Sequence, residues 1–567
     1  MKSQQSFFKK GQSKAAAGAG RRGSSTKAVP AAPQKPNCRT NPDYKSAISN
    51  AAYIGQKGYT IPKTALDPDD LAQLKKDLFM TPKVNFGAGP SAAAGSASFS
   101  VYRENTAKIY IPRFYGIEQY GLPNRTDIKQ GIPIDLAFTK ELRDYQTNII
   151  QTYMNYVNTP VAAGSEIRGN GAILEVPCGR GKTVMALKII SEVRLKTLIL
   201  VHKEFLMNQW IDRISEFLSG ARIGRIQGSL FDVDDKDIVI GMIQTIHSRD
   251  FAPSAFEGFG LTIIDEVHRI GSEEFSKSLF KTITPYMLGI SATVDRKDNM
   301  TDILYKFIGP KIYSEERAND DPVCVRAIEY RSNNDTVFDE TEYDYRGMPK
   351  YSTMISKLSE YGPRSDFIVR VLGDLLQENP ENQIMVLGHN RSLLEYLYEA
   401  VGHRLPNITV GYYVGGMKQA DLQETENRQV VLATYAMAAE ALDIKTLSTL
   451  IMATPKTDIE QSVGRILRVK HAQPIVVDIV DSHELFKRQF QQRKMFYRKC
   501  QYDIYWTSSN RYTNMFQDDW KNPDNRVWTA DKSRYSKKNA NPRNEIIGKG
   551  QCMIPKELAA LLDREPL

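Results

Sequence analysis

Eight residues of this 567-residue chain have the types and spacing to act on a phosphate ester: Gly179, Gly181, Lys182, Thr183, Asp265, Glu266, Arg465 and Arg468. In Ile173-Leu-Glu-Val-Pro-Cys-Gly-Arg-Gly-Lys-Thr-Val184 an apolar run enters a glycine-rich turn and then a helical pattern. Gly179 and Gly181, flanking Arg180, let backbone N–H groups turn toward phosphate oxygens. Lys182 can reach the terminal phosphates, and the Thr183 hydroxyl suits Mg²⁺. A strict phosphate loop would have glycine at position 176, where Val176 stands. A purely structural turn would account for the glycines but hardly for the adjacent Lys-Thr.

Asp265 lies 83 residues beyond Lys182, in Leu261-Thr-Ile-Ile-Asp-Glu-Val-His268, an apolar run ending in two carboxylates. Asp265 would hold the Mg²⁺ shell while Glu266 orients the attacking water and takes its proton. Ser291 and Thr293, in Gly289-Ile-Ser-Ala-Thr293, are small hydroxyl residues able to pass on the state of the γ-phosphate by hydrogen bonding. In Gln461-Ser-Val-Gly-Arg-Ile-Leu-Arg468 the spacing puts Arg465 and Arg468 on one helical face. Two guanidiniums there would stabilise charge on a transferring phosphoryl group.

These groups must be positioned by elements that the hydrophobic pattern reveals. Short apolar runs at 172–176, 197–201, 237–243, 261–264 and 287–290 alternate with helical stretches, and a second series follows at 383–387, 429–433, 449–453 and 474–480. Continuous apolar strands of this length belong to parallel sheets buried on both faces, so the expected fold class is α/β with two tandem lobes. The expected division is a disordered basic tail (1–42), a small α+β accessory domain (43–140), an ATP-binding lobe 1 (141–320), a lobe 2 (321–482) that starts with a polar break near 331–365, and a separate basic, aromatic C-terminal extension (483–567).

The formal charge of +9 belongs to the tail, which holds nine Lys or Arg and no acid, leaving 66 basic and 66 acidic residues in the rest of the chain. Contact with a polyanion must therefore be local. The extension has seventeen basic and ten acidic residues, and its stretch 487–499 offers Lys487, Arg488, Arg493 and Lys494 together with Phe490, Phe496 and Tyr497. These would hold phosphates and stack bases; alternatively they form an ordinary helix docked on lobe 2. The tail also fits an organelle transit peptide, although no amphipathic period favours that reading. Five scattered cysteines without a CxxC pair argue for reduced thiols and against a zinc site. No apolar run approaches membrane-spanning length, and the expected setting is soluble and intracellular.

In their order along 140–482, these motifs resemble those of the superfamily 2 DExH helicases. Leu142-Arg-Asp-Tyr-Gln146 resembles the adenine-recognising Q-type motif, and Val176-Pro-Cys-Gly-Arg-Gly-Lys-Thr183 the Pro-Cys-Gly form of motif I seen in XPB-type helicases, which accounts for Val176. Asp265-Glu-Val-His268 is similar to motif II, Ser291-Ala-Thr293 to motif III, and Gln461 to Arg468 to motif VI. The resemblance implies two RecA-like lobes and two cofactors, ATP and Mg²⁺. It implies that Gln146, Pro177, Cys178, Asp443 and Gln461 line the ATP site, that His268 and Ala292 share in coupling with Ser291 and Thr293, and that Thr434 touches nucleic acid. Around motif V, Ala441 replaces the usual glycine, which weakens that carry-over.

Gly58-Tyr-Thr-Ile-Pro-Lys63, Tyr115-Gly-Ile117, Tyr351-Ser-Thr-Met-Ile-Ser-Lys357 and Ala438-Ala-Glu-Ala-Leu-Asp443 resemble stretches in helicases of large nucleocytoplasmic DNA viruses, among them the poxvirus transcript-release helicase. That resemblance implies a DNA-dependent ATPase moving 3′→5′ in viral transcription, a monomeric motor with transcription proteins as partners. It would work in the host nucleus or a cytoplasmic virus factory, or be packaged in the virion. The rival readings are an RNA helicase, a duplex translocase that never separates strands, and a non-enzymatic nucleic-acid-binding factor.

Overall fold

A computed structural model describes residues 38–81, 98–159, 171–177, 179–267, 273–294, 300–316, 321–440, 444–512, 520, 522–529 and 549–553. Two large sheets dominate. From edge to edge the first runs Leu230–Phe231, Ile223–Gln227, Ile238–Met242, Thr197–Val201, Leu261–Asp265, Tyr286–Ser291, Gly171–Glu175, Lys311–Glu316 and Lys549–Cys552. Its neighbours are parallel except for the outermost pair at each edge. The second runs Val410–Tyr413, Val430–Thr434, Gln383–Gly388, Leu447–Met452, Ile475–Asp481, Cys324–Tyr330, Asp503–Ser508 and Arg526–Trp528, and only its last pair is antiparallel. Every residue of Thr197–Val201, Leu261–Asp265 and Leu447–Met452 is buried, which is why these strands read as largely apolar runs. The α/β class with two tandem lobes is as expected.

The N-terminal region carries a four-stranded antiparallel sheet, Tyr53–Gly55, Gly58–Pro62, Lys108–Ile111 and Arg103–Glu104, packed with helices Pro42–Ala51 and Arg113–Tyr120. Arg113 fixes it to lobe 1 by donating to the Thr284 carbonyl at 2.9 Å and that of Pro285 at 3.2 Å. Residues 1–37 of the expected tail lie outside the described residues, but its last five do not belong to a tail. Arg39 is buried, pairs with Asp70, and reaches Asp77 at 2.7 Å. A buried guanidinium is tolerated only with such partners, and composition alone cannot show them.

The polar break lies within lobe 2, inside the bounds expected for it: helices Tyr351–Glu360 and Gly362–Glu378 put Met354, Ile355, Leu358 and Leu372 into its core. Two further expectations change. Cys324–Tyr330 is a fully buried strand despite two charges, because Arg326 pairs with Glu378 at 2.7 Å and Glu329 with Lys487 at 3.0 Å. The C-terminal extension is not separate. Asp503–Ser508 lies parallel to Cys324–Tyr330 inside the lobe 2 sheet, and Lys549–Cys552 closes the edge of the lobe 1 sheet.

Helix Glu484–Lys499 docks on lobe 2 through Phe486, Phe490 and Tyr497, with Arg493 in the same buried stripe. Arg493 makes a two-point pair with Asp478, 2.8 Å on each arm, and donates to the Lys456 carbonyl at 3.0 Å. It therefore cannot serve as the phosphate contact expected of it. The Arg493→Ala protein should lose about 3–5 kcal/mol of stability, because Asp478 would stay buried without its counter-charge. Chemical denaturation of the two proteins measures this, and a loss below about 1 kcal/mol would contradict the role.

Candidate ATP site

The apolar strand Gly171–Glu175 delivers the chain to the glycine turn, and helix Lys182–Val193 leaves it. Gly179 (φ 82°) and Gly181 (φ 78°) both adopt the left-handed conformation, and a Cβ on Gly181 would overlap the Gln146 amide. The loop is braced from three sides. Gln146 Nε2 donates to the Arg180 carbonyl at 3.1 Å, and its Oε1 accepts the Arg143 N–H at 3.0 Å. The Arg180 guanidinium lies 3.6 Å from the Tyr145 ring centre and 2.6 Å from the buried Glu315 carboxylate. Burial raises the Glu315 carboxyl, while Arg180 opposes that rise. The Val176 N–H donates to the Ser291 carbonyl at 2.8 Å. Val176 itself is buried, so the position where the strict pattern has glycine is filled by a core side chain.

Lys182 Nζ lies 2.9 Å from Glu266 Oε1, and Ser291 Oγ is 3.5 Å from Glu266 Oε2 and donates to the Thr293 carbonyl at 2.7 Å. Lys182, Glu266 and Ser291, 109 positions apart at the extremes, thus form one cluster at the C-terminal ends of adjacent parallel strands. Glu266 has φ 51°, a strained conformation for a residue with a Cβ, costing roughly 1–2 kcal/mol. Its N–H donates to the Ile290 carbonyl at 3.0 Å, which fixes the carboxylate at the strand end.

Asp265 is buried, and its Oδ2 accepts the Trp210 indole N–H at 3.0 Å. Burial and the adjacent Glu266 push its carboxyl up to about 6, against the opposing effect of Lys182 and Trp210. Trp210 carries no motif signal; only its place on the apolar face of helix Glu204–Phe217 could have drawn notice. Replacing it with phenylalanine deletes the donor. About a tenfold rise in the Mg²⁺ concentration needed for half-maximal hydrolysis is expected, together with a loss of ~1–3 kcal/mol of stability from the unpaired Asp265 oxygen and the smaller ring. An unaltered Mg²⁺ requirement would remove Trp210 from the site.

Among the described residues no group of three or more His, Cys, Asp or Glu side chains is placed to hold a metal. Mg²⁺ is commonly carried on one or two carboxylates, with phosphate oxygens and water completing its shell. Asp265 and Thr183 are the residues that would hold it.

Lobe 2 supplies the opposite wall. Helix Glu460–Val463 continues into the 3₁₀ turn Gly464–Leu467, where residues three apart eclipse, so Arg465 and Arg468 still share a face. The Arg468 Cα stands 3.9 Å from where a Gly179 Cβ would be, which puts motif VI against the phosphate loop. Phe205 of lobe 1 packs into both lobe cores. Tyr413 and Glu426, joined by a 3.3 Å hydrogen bond, lie in the field of these arginines, and neither was legible beforehand. Gln461 and Pro177 also lie at this wall and loop, and Thr434 ends its strand at the same edge of lobe 2. Cys178, His268 and Asp443 fall outside the described residues.

His389, after strand Gln383–Gly388, is half-buried beside Lys456 and shares a 2.7 Å hydrogen bond with Thr454 Oγ1. Burial, then Lys456, lowers its imidazole to about 4, so it is neutral in the fold. Unfolded, it protonates near pH 6.5. Its contribution is therefore complete above pH 6.5 and is lost as pH falls toward 4, by up to about 3 kcal/mol. Melting curves of wild type and His389→Asn from pH 7 to 4.5 should converge on the acid side; parallel curves would refute this.

The family described as Type III restriction enzyme, res subunit, matches residues 139–296, and the one described as Helicase conserved C-terminal domain matches 368–470. A candidate ATP-dependent RNA helicase of Acanthamoeba polyphaga mimivirus is 34% identical over 459 residues, covering 80% of this chain and 86% of the relative. The chain belongs to the superfamily 2 helicases. A second candidate ATP-dependent RNA helicase, from African swine fever virus (isolate Tick/South Africa/Pretoriuskop Pr4/1996), is 28% identical over 362 residues, 59% of this helicase and 70% of the relative. Dbp5 of S. cerevisiae, solved with RNA and ADP BeF3, superposes with a TM-score of 0.44 at 12% identity, covering 66% of this chain and 90% of that one. The helicase hydrolyses ATP, which removes the non-enzymatic reading.

The expected nucleic-acid contacts at 487–499 fare differently. Phe490 and Tyr497 are buried and Phe496 packs on the lobe 2 core, so the docked-helix reading holds for the aromatics. Lys487 pairs with Glu329, and Arg488 with Glu484 at 3.1 Å. Lys494 is half-buried, its ammonium lowered by burial and by Arg498.

Proposed function

We propose that this helicase is a monomeric DNA motor moving 3′→5′ in viral transcription, powered by Mg²⁺-ATP. The observation that carries the motor is the placement of Arg465 and Arg468 against a phosphate loop whose Lys182 already meets Glu266. Lys182 and the backbone N–H groups of 179–183 bind the phosphates, Glu266 orients the water, and the lobe 2 arginines neutralise charge that develops during transfer. Asp265 and Thr183 would hold Mg²⁺, whose chemistry there would be to withdraw charge from the phosphates. Hydrolysis removes what joins the lobes, and their reopening advances the protein along a strand held across both.

DNA and 3′→5′ movement are supported by the resemblance to the DNA-virus transcription helicases at 58–63, 351–357 and 438–443. The DExH and XPB-type assignment rests on the motif I and motif II forms. The relatives come from DNA viruses, so a host nucleus, virus factory or virion is the proposed setting. An RNA track is the second reading, favoured by the names of both relatives.

The test is ATP hydrolysis with single-stranded DNA, duplex DNA and RNA at two salt concentrations, beside strand- and triplex-displacement assays. Stimulation by DNA with 3′→5′ strand displacement is expected, falling steeply with salt. Stimulation by RNA alone overturns the DNA reading, and triplex displacement without strand separation makes the protein a duplex translocase.

A further inference from the structure

Four large apolar side chains stand in solvent within twelve residues of lobe 2: Val337 is 74% exposed, Tyr343 57%, Tyr345 87% and Met348 55%. They surround a tight turn. Tyr343 bridges Pro349, the Asp344 N–H donates to the Met348 carbonyl at 2.8 Å, and Gly347 takes φ 73°. Asp344 Oδ1 accepts the N–H groups of Arg346 at 2.8 Å and Met348 at 2.9 Å, so this carboxylate faces into the turn. The rings are therefore presented on a braced backbone, although hiding them would stabilise the fold.

The turn's place points to its occupant. It lies between strand Cys324–Tyr330 and helix Tyr351–Glu360. In that helix Tyr351 donates to the Pro455 carbonyl at 2.9 Å, and Ser356 Oγ accepts from Asn390 at 3.3 Å. Pro455 and Asn390 follow strands Leu447–Met452 and Gln383–Gly388, so the turn sits at the C-terminal edge of the lobe 2 sheet, where Thr434 also lies. The exposed charges at the tip are cationic. The Arg346 guanidinium is 4.9 Å from the Tyr345 ring centre, and Lys350 closes the turn. Of the acids nearby, Asp335 caps helix Thr336–Asp339 and accepts from Tyr361, and Asp339 accepts from Ser332 and Ser482. Glu340 and Glu342 precede the turn, the Glu342 carbonyl accepting the Lys350 N–H at 2.9 Å where the turn closes.

We propose that the turn Tyr343–Lys350 is a base-stacking contact for single-stranded nucleic acid, with Tyr345 and Tyr343 taking an unpaired base and Arg346 and Lys350 the adjoining phosphates. Every base has a π-face, so such a platform is indifferent to sequence and suits a motor. The proposal rests on the motor reading above and adds a lobe 2 element that meets bases as well as backbone.

The test uses the full chain, wild type, Tyr343→Ala/Tyr345→Ala and Tyr345→Trp, with a forked substrate carrying 2-aminopurine at the junction. Both rings are exposed, so all three proteins should melt alike. Wild type and Tyr345→Trp should change the 2-aminopurine fluorescence on binding, without ATP. The double alanine variant should lose that signal, bind single strands about tenfold more weakly and separate strands at least tenfold more slowly. An unchanged 2-aminopurine signal and affinity in the double variant overturns the proposal and leaves the turn as a surface for a protein. The fluorescence is read without hydrolysis, so failure of the motor reading, seen as no strand-stimulated ATPase in wild type, is a separate result.

Discussion

Replacing Lys182 with alanine should reduce strand-stimulated ATP hydrolysis by ~10³-fold, since it removes the cation that neutralises phosphoryl charge in a water-poor site. A second effect adds to the first. Lys182 is the ammonium that holds Glu266 at 2.9 Å and opposes the rise of the Asp265 carboxyl. Without it two adjacent carboxylates face each other, and Asp265 should take up a proton more readily, weakening its hold on Mg²⁺. Hydrolysis should then depend more steeply on pH below 7 than in wild type. The measurement is kcat at saturating ATP and strand from pH 6 to 8, with circular dichroism as the check on folding. Activity within tenfold of wild type would mean that Lys182 is not at the chemistry.

For Arg465→Ala the expected loss in kcat is ~10³-fold or more, as for arginines that act on transferring phosphoryl groups elsewhere. Here the split between parameters is the informative part. The guanidinium comes from the lobe facing the phosphate loop and acts on charge that appears during transfer, so ATP affinity should change only a few-fold while kcat collapses. Arg493→Ala supplies the contrast, because it removes a buried arginine of the same lobe whose partner is Asp478: stability should fall while kcat at low temperature persists. If Arg465→Ala instead weakened ATP binding in proportion to kcat, the residue would be a ground-state contact.

Legibility in the sequence followed burial and locality. Strands buried on both faces announced themselves, as at Thr197–Val201, because nothing but apolar residues satisfies both sides. Cys324–Tyr330 did not, since its charges are neutralised by Glu378 and Lys487, more than fifty and more than a hundred and fifty positions away. Lys182, Glu266 and Ser291 were readable as separate motifs and meet in space. Trp210 and Glu315 were not, because their roles come from what they touch: an indole N–H has no meaning until a carboxylate is 3.0 Å away. Arg493 misled for the same reason in reverse, a cation among exposed cations in the sequence and a core residue in the fold.

The chain crosses between the two sheets twice, once from Glu316 to Cys324 and again from Trp528 to Lys549. At ~3.4 Å per extended residue the first crossing spans no more than about 30 Å and the second about 70 Å. The last strand is thus a return address: severing the chain between Glu316 and Cys324 would leave the halves joined through Lys549–Cys552, which pairs with Lys311–Glu316.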